Sequence, residues 1–231
     1  MQGLGINILF KGINFQRLLG GLWVTLRLAL ITIGLSCVFG FLFSLLTLSK
    51  NRWAKAVSRL WLEIVRFMPQ LVLLYIVYFG FARLFGWDLD GETSAVIVFT
   101  FWGTAEMGDL IRGSLTSIPR HQTESAAALG LTQGQIYRYV LIPQTLRRLT
   151  PQAINLCTRI IKTTALVKMI NVTEVLKVGQ QIIGQYYREP AAAFWVYAAV
   201  FLLYFLICWP ISLLAGWLEK RYQDGPAAGA A

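Results

Sequence analysis

The sequence predicts an all-α membrane protein. Hydrophobic residues make up 56% of the chain and charged residues 14%, whereas about a quarter of the residues in a typical soluble domain are charged. Two long segments contain no charged residue: 22 residues lie between Arg27 and Lys50, and 29 lie between Glu189 and Glu219. A spanning helix needs about 20 mostly apolar residues, so each segment is long enough to cross a bilayer.

We expect five spans in all. The two uncharged segments predict spans at about 22–49 and 193–217. Three further apolar stretches, at about 61–84, 93–117 and 151–170, contain a few charged residues each and complete the set. Because charged side chains at membrane depth are costly, those within the weaker spans are candidates for a pathway or for internal ion pairs.

These spans give a simple domain organisation. Residues 20–221 are expected to form one transmembrane domain, and residues 222–231 a flexible cytoplasmic tail. Residues 1–19 mix apolar side chains with Lys11 and Arg17, a composition typical of an amphipathic segment at the outer membrane surface. The same residues lack the ordered basic, apolar and cleavage regions of a removable signal peptide.

The distribution of lysine and arginine predicts the orientation. Basic residues accumulate after the first span, between the third and fourth spans and after the fifth: Lys50, Arg52, Lys55, Arg59, Arg120, Arg138, Arg147, Arg148, Lys220 and Arg221. These loops are expected to face the cytoplasm, which places the N-terminus outside and the C-terminus inside. The net charge of +10 then reflects basic loops beside anionic lipid and requires no nucleic-acid partner.

The longest cytoplasmic loop, at about 118–150, contains signals for two short helices. An alanine-rich run of good helix formers ends at Gly130, where a helix can stop. A second start follows at Thr132, which forms a T-x-x-Q capping box with Gln135, and the new helix is expected to end at Pro143. The result is a helix-turn-helix elbow.

Two functions fit this elbow. The small side chains of residues 126–128 would let another protein approach the backbone closely, while Glu124 offers a carboxylate to a basic or amide partner. Alternatively, the elbow is an amphipathic cytoplasmic loop that covers the membrane face of the helix bundle.

The spacing within the elbow resembles a known pattern. Glu124-Ser125-Ala126, then Gly130 and the ending Val-Leu-Ile-Pro at 140–143, are similar to the EAA loop of permease subunits of ATP-binding-cassette importers. Four segments resemble the polar amino acid permease family of the histidine and glutamine type: DLIRGSLTSIPRHQTESAAALG, IPQTLRRLTPQAIN, IIKTTALVKMINVTE and VRFMPQLVLLYIVYFG. The resemblance covers essentially the whole chain.

The sequence departs from that family at a few positions. Phe67-Met68 stands where Gly-Thr is usual, Glu106 replaces a common tyrosine, and Gly108-Asp109 stands for Ala-Glu. These departures leave the expected fold unchanged and affect the identity of the substrate.

The resemblance implies a type I importer permease fold in the bacterial cytoplasmic membrane, with the elbow as a coupling helix between the third and fourth spans. That helix would rest in a groove of a separate ATPase subunit, which would hold ATP and Mg²⁺, while this chain would bind no cofactor. A second permease copy or a paralogue would complete the pore, and an external solute-binding protein would deliver an amino acid. The residues implied in coupling are Glu124, Ser125, Ala126, Ala127, Gly130 and Pro143.

Polar residues within the predicted spans are candidates for a substrate pathway. Glu106 and Asp109 lie three residues apart, hence on one helical face, and a basic stripe that includes Arg159 lies on another span. A zwitterionic amino acid needs an acceptor for its ammonium group and a donor for its carboxylate, which the two stripes would supply. The candidates are Glu106, Asp109, Arg159, Lys162, Thr163, Thr164, Pro69 and Gln70.

Structural explanations compete for the same residues. Glu106 could pair with Arg159 or Lys162 and so neutralise both charges inside the bundle. Pro69 could simply kink its helix. A Glu106 that faces the substrate would favour a cationic amino acid such as arginine, lysine or histidine, whereas a paired Glu106 would favour a neutral polar one such as glutamine.

The sequence contains no motif of a catalytic or metal site. It lacks the G-x-x-x-x-G-K-[ST] phosphate loop, so ATP hydrolysis has to come from another polypeptide. His121 is the single histidine, and Cys37, Cys157 and Cys208 lack the even number and close spacing of a disulfide framework or zinc site. We therefore expect a transport component rather than an enzyme. The alternatives are a secondary transporter or channel driven by ion gradients, and a membrane scaffold without a pathway.

Overall fold

The structure is a computed structural model that describes residues 6–223. All regular elements in this range are helical. The α-helices are α1 (Asn14–Leu48), α2 (Arg52–Phe67), α3 (Gln70–Tyr75), α4 (Phe81–Phe85), α5 (Gly91–Thr116), α6 (Arg120–Ala128), α7 (Gln133–Gln135), α8 (Ile142–Thr163), α9 (Val175–Gln185) and α10 (Ala192–Gln223). Ile76–Gly80 and Ile136–Leu141 are π-helical, and Ile6–Phe10 and Thr164–Ile170 are 3₁₀ segments.

Two helices are long and apolar enough to cross a membrane. Asn14–Leu48 and Ala192–Tyr222 both reach a mean hydropathy of 2.3. The helices Arg52–Phe67 and Gln70–Phe85 qualify only as a pair separated by a break. Within residues 6–223, length and composition thus indicate two spans, or three with the broken pair, and the number five stays a prediction.

The predicted span at 61–84 is wrong as a single helix. α2 ends at Phe67, and α3 begins at Gln70 after Pro69, whose ψ of 121° is extended. Proline lacks a backbone N–H and disfavours the helical conformation in the residue before it, so the hydrogen-bond ladder stops before Met68. The sequence suggests a helix kink at Pro69, whereas the structure shows two separate helices, α2 and α3, at this position.

Other helix ends also differ from the predicted spans. α1 begins at Asn14, inside the segment expected at the membrane surface, and the Asn14 Nδ2 donates a 2.9 Å hydrogen bond to the carbonyl oxygen of Ile8. α8 begins at Ile142, ahead of the predicted start at residue 151. Most of the predicted tail, residues 224–231, lies outside the described residues.

The chain forms two compact units, and α1, α5, α8 and α10 each contribute residues to both. Of the described residues, the first unit comprises 6–34, Met68–Phe101 and Arg159–Pro210. Two clusters of buried apolar side chains lie among its described residues, one that includes Leu18, Val175, Ile182 and Val196, and one that includes Leu28, Phe99, Val167 and Ile170. α1 approaches the start of α9 at Gly21, where a Cβ would lie 2.8 Å from the Cα of Val175.

Within residues 6–223, the second unit comprises Leu35–Phe67, Trp102–Thr158 and 211–223. In this unit α1 and α5 meet at small residues. A Cβ on Gly40 would lie 2.7 Å from the Met107 Cβ, and one on Gly108 would lie 2.6 Å from the Phe43 Cδ1. Small residues let helix backbones pack closely in membranes. This contact fixes the polar part of α5 against α1.

Candidate functional site

α6 presents a surface of small side chains. Pro119, in an extended conformation, precedes the helix. The exposed side chains of α6 include Glu124, Ser125, Ala127 and Ala128. Ala126 is buried and anchors the opposite face. A partner could therefore approach the backbone of α6 closely and meet the Glu124 carboxylate there.

The turn after α6 requires a glycine. Gly130 has a φ of +80°, in the left-handed region that residues with a Cβ rarely adopt. The N–H of Gly130 donates to the Ala127 carbonyl at 2.9 Å, and the N–H of Leu131 donates to the Ala126 carbonyl at 3.2 Å. These two bonds form a Schellman motif, which satisfies carbonyls left over at the helix end. The predicted helix stop at Gly130 is confirmed.

The second half of the elbow starts as expected but does not end as expected. Thr132 and Gln135 form the predicted capping box, in which the Thr132 N–H donates to the Gln135 Oε1 at 2.8 Å. The predicted helix end at Pro143 is wrong, because the π-helical segment Ile136–Leu141 leads directly into α8. Local π geometry can satisfy the backbone groups that a proline frees, so the chain passes Pro143 without leaving the helix.

Side-chain hydrogen bonds tie α6 to its neighbours. The Gln144 Nε2 of α8 donates to the Gln122 Oε1 of α6 at 3.3 Å. The Arg148 Nη1 donates to the carbonyl oxygen and the hydroxyl of Ser117, just after α5, at 2.7 and 2.9 Å. Ile136, in the π-helical segment between α7 and α8, is fully buried. These bonds connect α6 to α8, and α8 to the residue that follows α5.

A cavity of about 490 Å³ with several charged side chains in its lining lies in the second unit between α2 and α5. Asp109, a predicted pathway residue, lines it and accepts hydrogen bonds from the guanidinium groups of Arg66 and Arg112, the latter at 2.6 Å. The i,i+3 spacing of Asp109 and Arg112 is a sequence signal for their pairing. No such signal exists for Arg66, because its contact with Asp109 joins two separate helices.

The other predicted pathway residues occupy varied environments. Glu106 is half-buried on α5, while Arg159 and Lys162 are exposed on α8. Thr163 is the last residue of α8, and Thr164 is fully buried with its hydroxyl donating to the Ile161 carbonyl at 2.7 Å. Pro69 and Gln70 lie at the break between α2 and α3. The structure thus groups Arg159, Lys162 and Thr163 on one helix, and the substrate roles of the whole set stay predictions.

Sequence reasoning missed the structural role of Glu174. This side chain is fully buried at the start of α9, where its two oxygens accept hydrogen bonds from the backbone N–H groups of Leu176 and Lys177, both at 2.8 Å. The Tyr204 hydroxyl donates to it at 3.3 Å. Burial raises the pKa of the Glu174 carboxyl above its usual value, while these hydrogen bonds oppose the shift. An acidic residue directly before the apolar start of α9 was the available signal for this helix cap.

A comparison with known families decides the class of the protein. Residues 24–224 match the family described as "binding-protein-dependent transport system inner membrane component". The chain belongs to this family. It is the permease subunit of an ATP-binding-cassette importer, and ATP hydrolysis takes place in a separate ATPase subunit rather than in this chain.

Individual relatives agree with this assignment. The permease is 29% identical to the probable amino-acid ABC transporter permease protein YckA of Bacillus subtilis over 209 residues, 90% of each chain. It is 30% identical to the probable glutamine ABC transporter permease protein GlnP of the same organism, over 92% of this chain and 98% of that one. The crystal structure of an amino acid ABC transporter with histidines superposes with a TM-score of 0.80 at 26% identity, covering 90% of this chain and 94% of that chain.

Proposed function

We propose that this permease forms half of a translocation pathway for a polar amino acid and takes up the force of ATP hydrolysis through α6. The observation that carries the proposal is the exposed small-residue surface of α6, which ends in a glycine-dependent turn and is hydrogen-bonded to α8. A helix with this surface fits a groove in an ATPase subunit. The names of the relatives, which include amino-acid and glutamine permeases, support the substrate class.

The connections of α6 support its role in transmitting force. Movement of α6 in an ATPase groove would pull on Gln144 of α8, and the bond from Arg148 to Ser117 would connect α8 to the end of α5. The Schellman turn at Gly130 and the capping box at Thr132 fix the angle between the two halves of the elbow. Because the turn and the capping box hold this angle, movement of α6 would displace α8 as well and would not only deform the connecting loop.

The proposal includes an arrangement of partners. The N-terminus would lie outside and the C-terminus inside, as the basic loops predict. A second permease copy or a paralogue would complete the pore, an external solute-binding protein would deliver the amino acid, and the ATPase subunits would hold ATP and Mg²⁺. The five spans expected from the sequence are few for a complete pathway, which supports the need for a second permease.

The substrate contacts are proposed from the polar residues of α5 and α8. Asp109 accepts hydrogen bonds from two arginines. Glu106, half-buried on α5, is proposed to accept a substrate ammonium group. Arg159 and Lys162, exposed on α8, would donate hydrogen bonds to the carboxylate of the substrate. Replacing Glu106 with Gln in the assembled importer should lower transport of cationic relative to neutral amino acids. An unchanged rate and selectivity for every amino acid would remove Glu106 from the pathway.

Transport in proteoliposomes tests the function as a whole. The purified permease, reconstituted with its ATPase subunits and binding protein, should accumulate a polar amino acid only when ATP is enclosed with the ATPase. A secondary transporter would instead work with a sodium or proton gradient and without ATP. Accumulation driven by a gradient alone would overturn the proposal in favour of that alternative.

A further inference from the structure

α2 has three chemically different faces. Ser58, Leu62 and Val65 are buried against the rest of the unit. A stripe of large apolar side chains is exposed at helical spacing: Trp53, Val57, Leu60, Ile64 and Phe67. Between these two faces lies a polar face that lines the cavity, formed by Lys55, Arg59, Glu63 and Arg66. An exposed apolar stripe next to a basic face is typical of a helix at a lipid surface.

The cavity has an excess of positive charge. Its charged lining consists of Lys55, Arg59, Arg66 and Arg112 against Glu63 and Asp109, which leaves two positive charges uncompensated. Asp109 forms salt bridges with Arg66 and Arg112. The side chains of Lys55 and Arg59 make no ion pair or hydrogen bond within residues 6–223, so two cations remain available to a ligand.

We propose that this α2–α5 cavity binds the phosphate headgroup of an anionic phospholipid, with Lys55 and Arg59 as the phosphate contacts and the acyl chains along the apolar stripe of α2. The inference rests on the proposed function only in assigning the lipid to the cytoplasmic leaflet. Basic pockets between spanning helices on that side are suited to anionic headgroups.

The charge and the shape of the site favour a lipid over the transported amino acid. A zwitterionic amino acid carries no net charge and would leave the two excess positive charges in place. An anionic phospholipid supplies the missing negative charge. Its acyl chains can also pack against the exposed side chains of Leu60 and Phe67. These two residues lie next to Glu63 on α2, at the border between the polar face and the apolar stripe.

Titration of the assembled importer with short-chain lipids tests the site. The probes are dioctanoyl phosphatidylglycerol, dioctanoyl phosphatidylcholine, inorganic phosphate and glutamine, added to delipidated protein in neutral detergent and followed by native mass spectrometry. Phosphatidylglycerol should bind most tightly. Because each basic residue near an anionic lipid contributes about a factor of five in affinity, the double variant K55Q/R59Q should bind phosphatidylglycerol about 25-fold more weakly.

A matched double variant controls for charge. K50Q/R52Q removes the same charge from the same part of the chain, but neither residue lines the cavity, so phosphatidylglycerol affinity should change less than about twofold. The charge-conserving variant K55R/R59K should keep most of the affinity, which guards against loss through misfolding.

Four results would overturn the lipid site: an equal loss in both glutamine variants, equal binding of phosphatidylcholine, inorganic phosphate as tight as phosphatidylglycerol, or glutamine binding that K55Q/R59Q abolishes. The last two would assign the cavity to free phosphate or to the amino acid. Since the titration uses no ATP, its outcome is independent of whether α6 couples the permease to an ATPase.

Discussion

Glu174 at the start of α9 and Glu124 on α6 are the same residue type in opposite situations. Glu174 is fully buried and accepts hydrogen bonds from two backbone N–H groups and from Tyr204. Glu124 is exposed, and its side chain makes no hydrogen bond or ion pair within residues 6–223. A buried carboxylate must be satisfied inside the chain, whereas an exposed one without an internal contact is available to another molecule.

The surroundings of the two glutamates differ in the same way. α9 buries Val175, Val178 and Ile182 in an apolar cluster, while α6 exposes Ala127 and Ala128. Substitutions around α9 should therefore lower the stability of the permease. Substitutions on α6 should lower transport and leave stability nearly unchanged.

The largest expected effect is on transport. Ala127→Trp would place an indole on the surface of α6 that the ATPase subunit is proposed to contact, and a loss of about 1.4 kcal/mol in docking would already lower binding tenfold. ATP-driven uptake in proteoliposomes should fall at least about tenfold, with little change in the melting temperature of the permease. Tyr139→Trp, at another exposed position of the elbow, should transport normally. Equal losses in both variants would contradict a docking role for α6.

The paired substitutions Glu174→Ala and Glu124→Ala test the comparison most directly. Glu174→Ala removes a helix cap and leaves buried donors unsatisfied, so the free energy of unfolding should fall by about 2–4 kcal/mol. Glu124→Ala should change it by less than about 0.5 kcal/mol while lowering transport. Chemical denaturation of the detergent-solubilised permease measures both values. Similar destabilisation by the two substitutions would show that Glu124 on α6 and Glu174 at α9 do not differ in their contribution to stability.

Gly130→Ala should have a smaller effect, confined to the turn after α6. Forcing a residue with a Cβ into the left-handed conformation costs about 1–2 kcal/mol, which should loosen the turn and reduce transport. Gly134→Ala is the matched control, because Gly134 has no positive φ and a Cβ there meets no atom within 4 Å. Hydrogen exchange at Leu131 should accelerate in the first variant only. Unchanged exchange at Leu131 in Gly130→Ala would show that the turn does not depend on glycine.

The smallest expected effect comes from the capping box. Thr132→Ala removes the hydroxyl that accepts from the Gln135 N–H, at an expected cost of about 1 kcal/mol. Thr132→Ser keeps the hydroxyl and should match the parent permease in stability. If both variants unfold at the same denaturant concentration, the capping box does not stabilise the elbow.

Much of the elbow could be predicted because its signals are local. A glycine after an alanine-rich run predicts a helix stop, and Thr132 with Gln135 predicts a capping box, since each involves residues no more than a few positions apart. At two prolines the same local reasoning erred in extent: it predicts a kink at Pro69, where the helix breaks, and a helix end at Pro143, where the helix continues. Pro69 breaks its helix completely, whereas α8 passes Pro143 after a π-helical segment. Nothing in either local sequence distinguishes these outcomes.

Contacts between distant residues lay beyond sequence reasoning. The Arg66–Asp109 pair joins residues on α2 and α5, and the Tyr204–Glu174 bond joins α10 to the cap of α9. The sequence identifies Asp109 as a candidate site residue, and its i,i+3 spacing from Arg112 is a local signal for that contact, but no signal points to Arg66. The burial of Glu174 was equally hidden, because a glutamate in a predicted loop is ordinarily expected to face water.

By itself, the sequence determined that the chain is a helical membrane protein, because hydrophobic length is a property of the chain as written. The resemblance of its EAA-like spacing to importer permeases pointed to the family that the match over residues 24–224 shows. Tertiary structure alone decided which charges meet, which glutamate is buried and which proline breaks a helix. Those outcomes depend on the free energy of packing and hydrogen bonding between segments far apart in sequence.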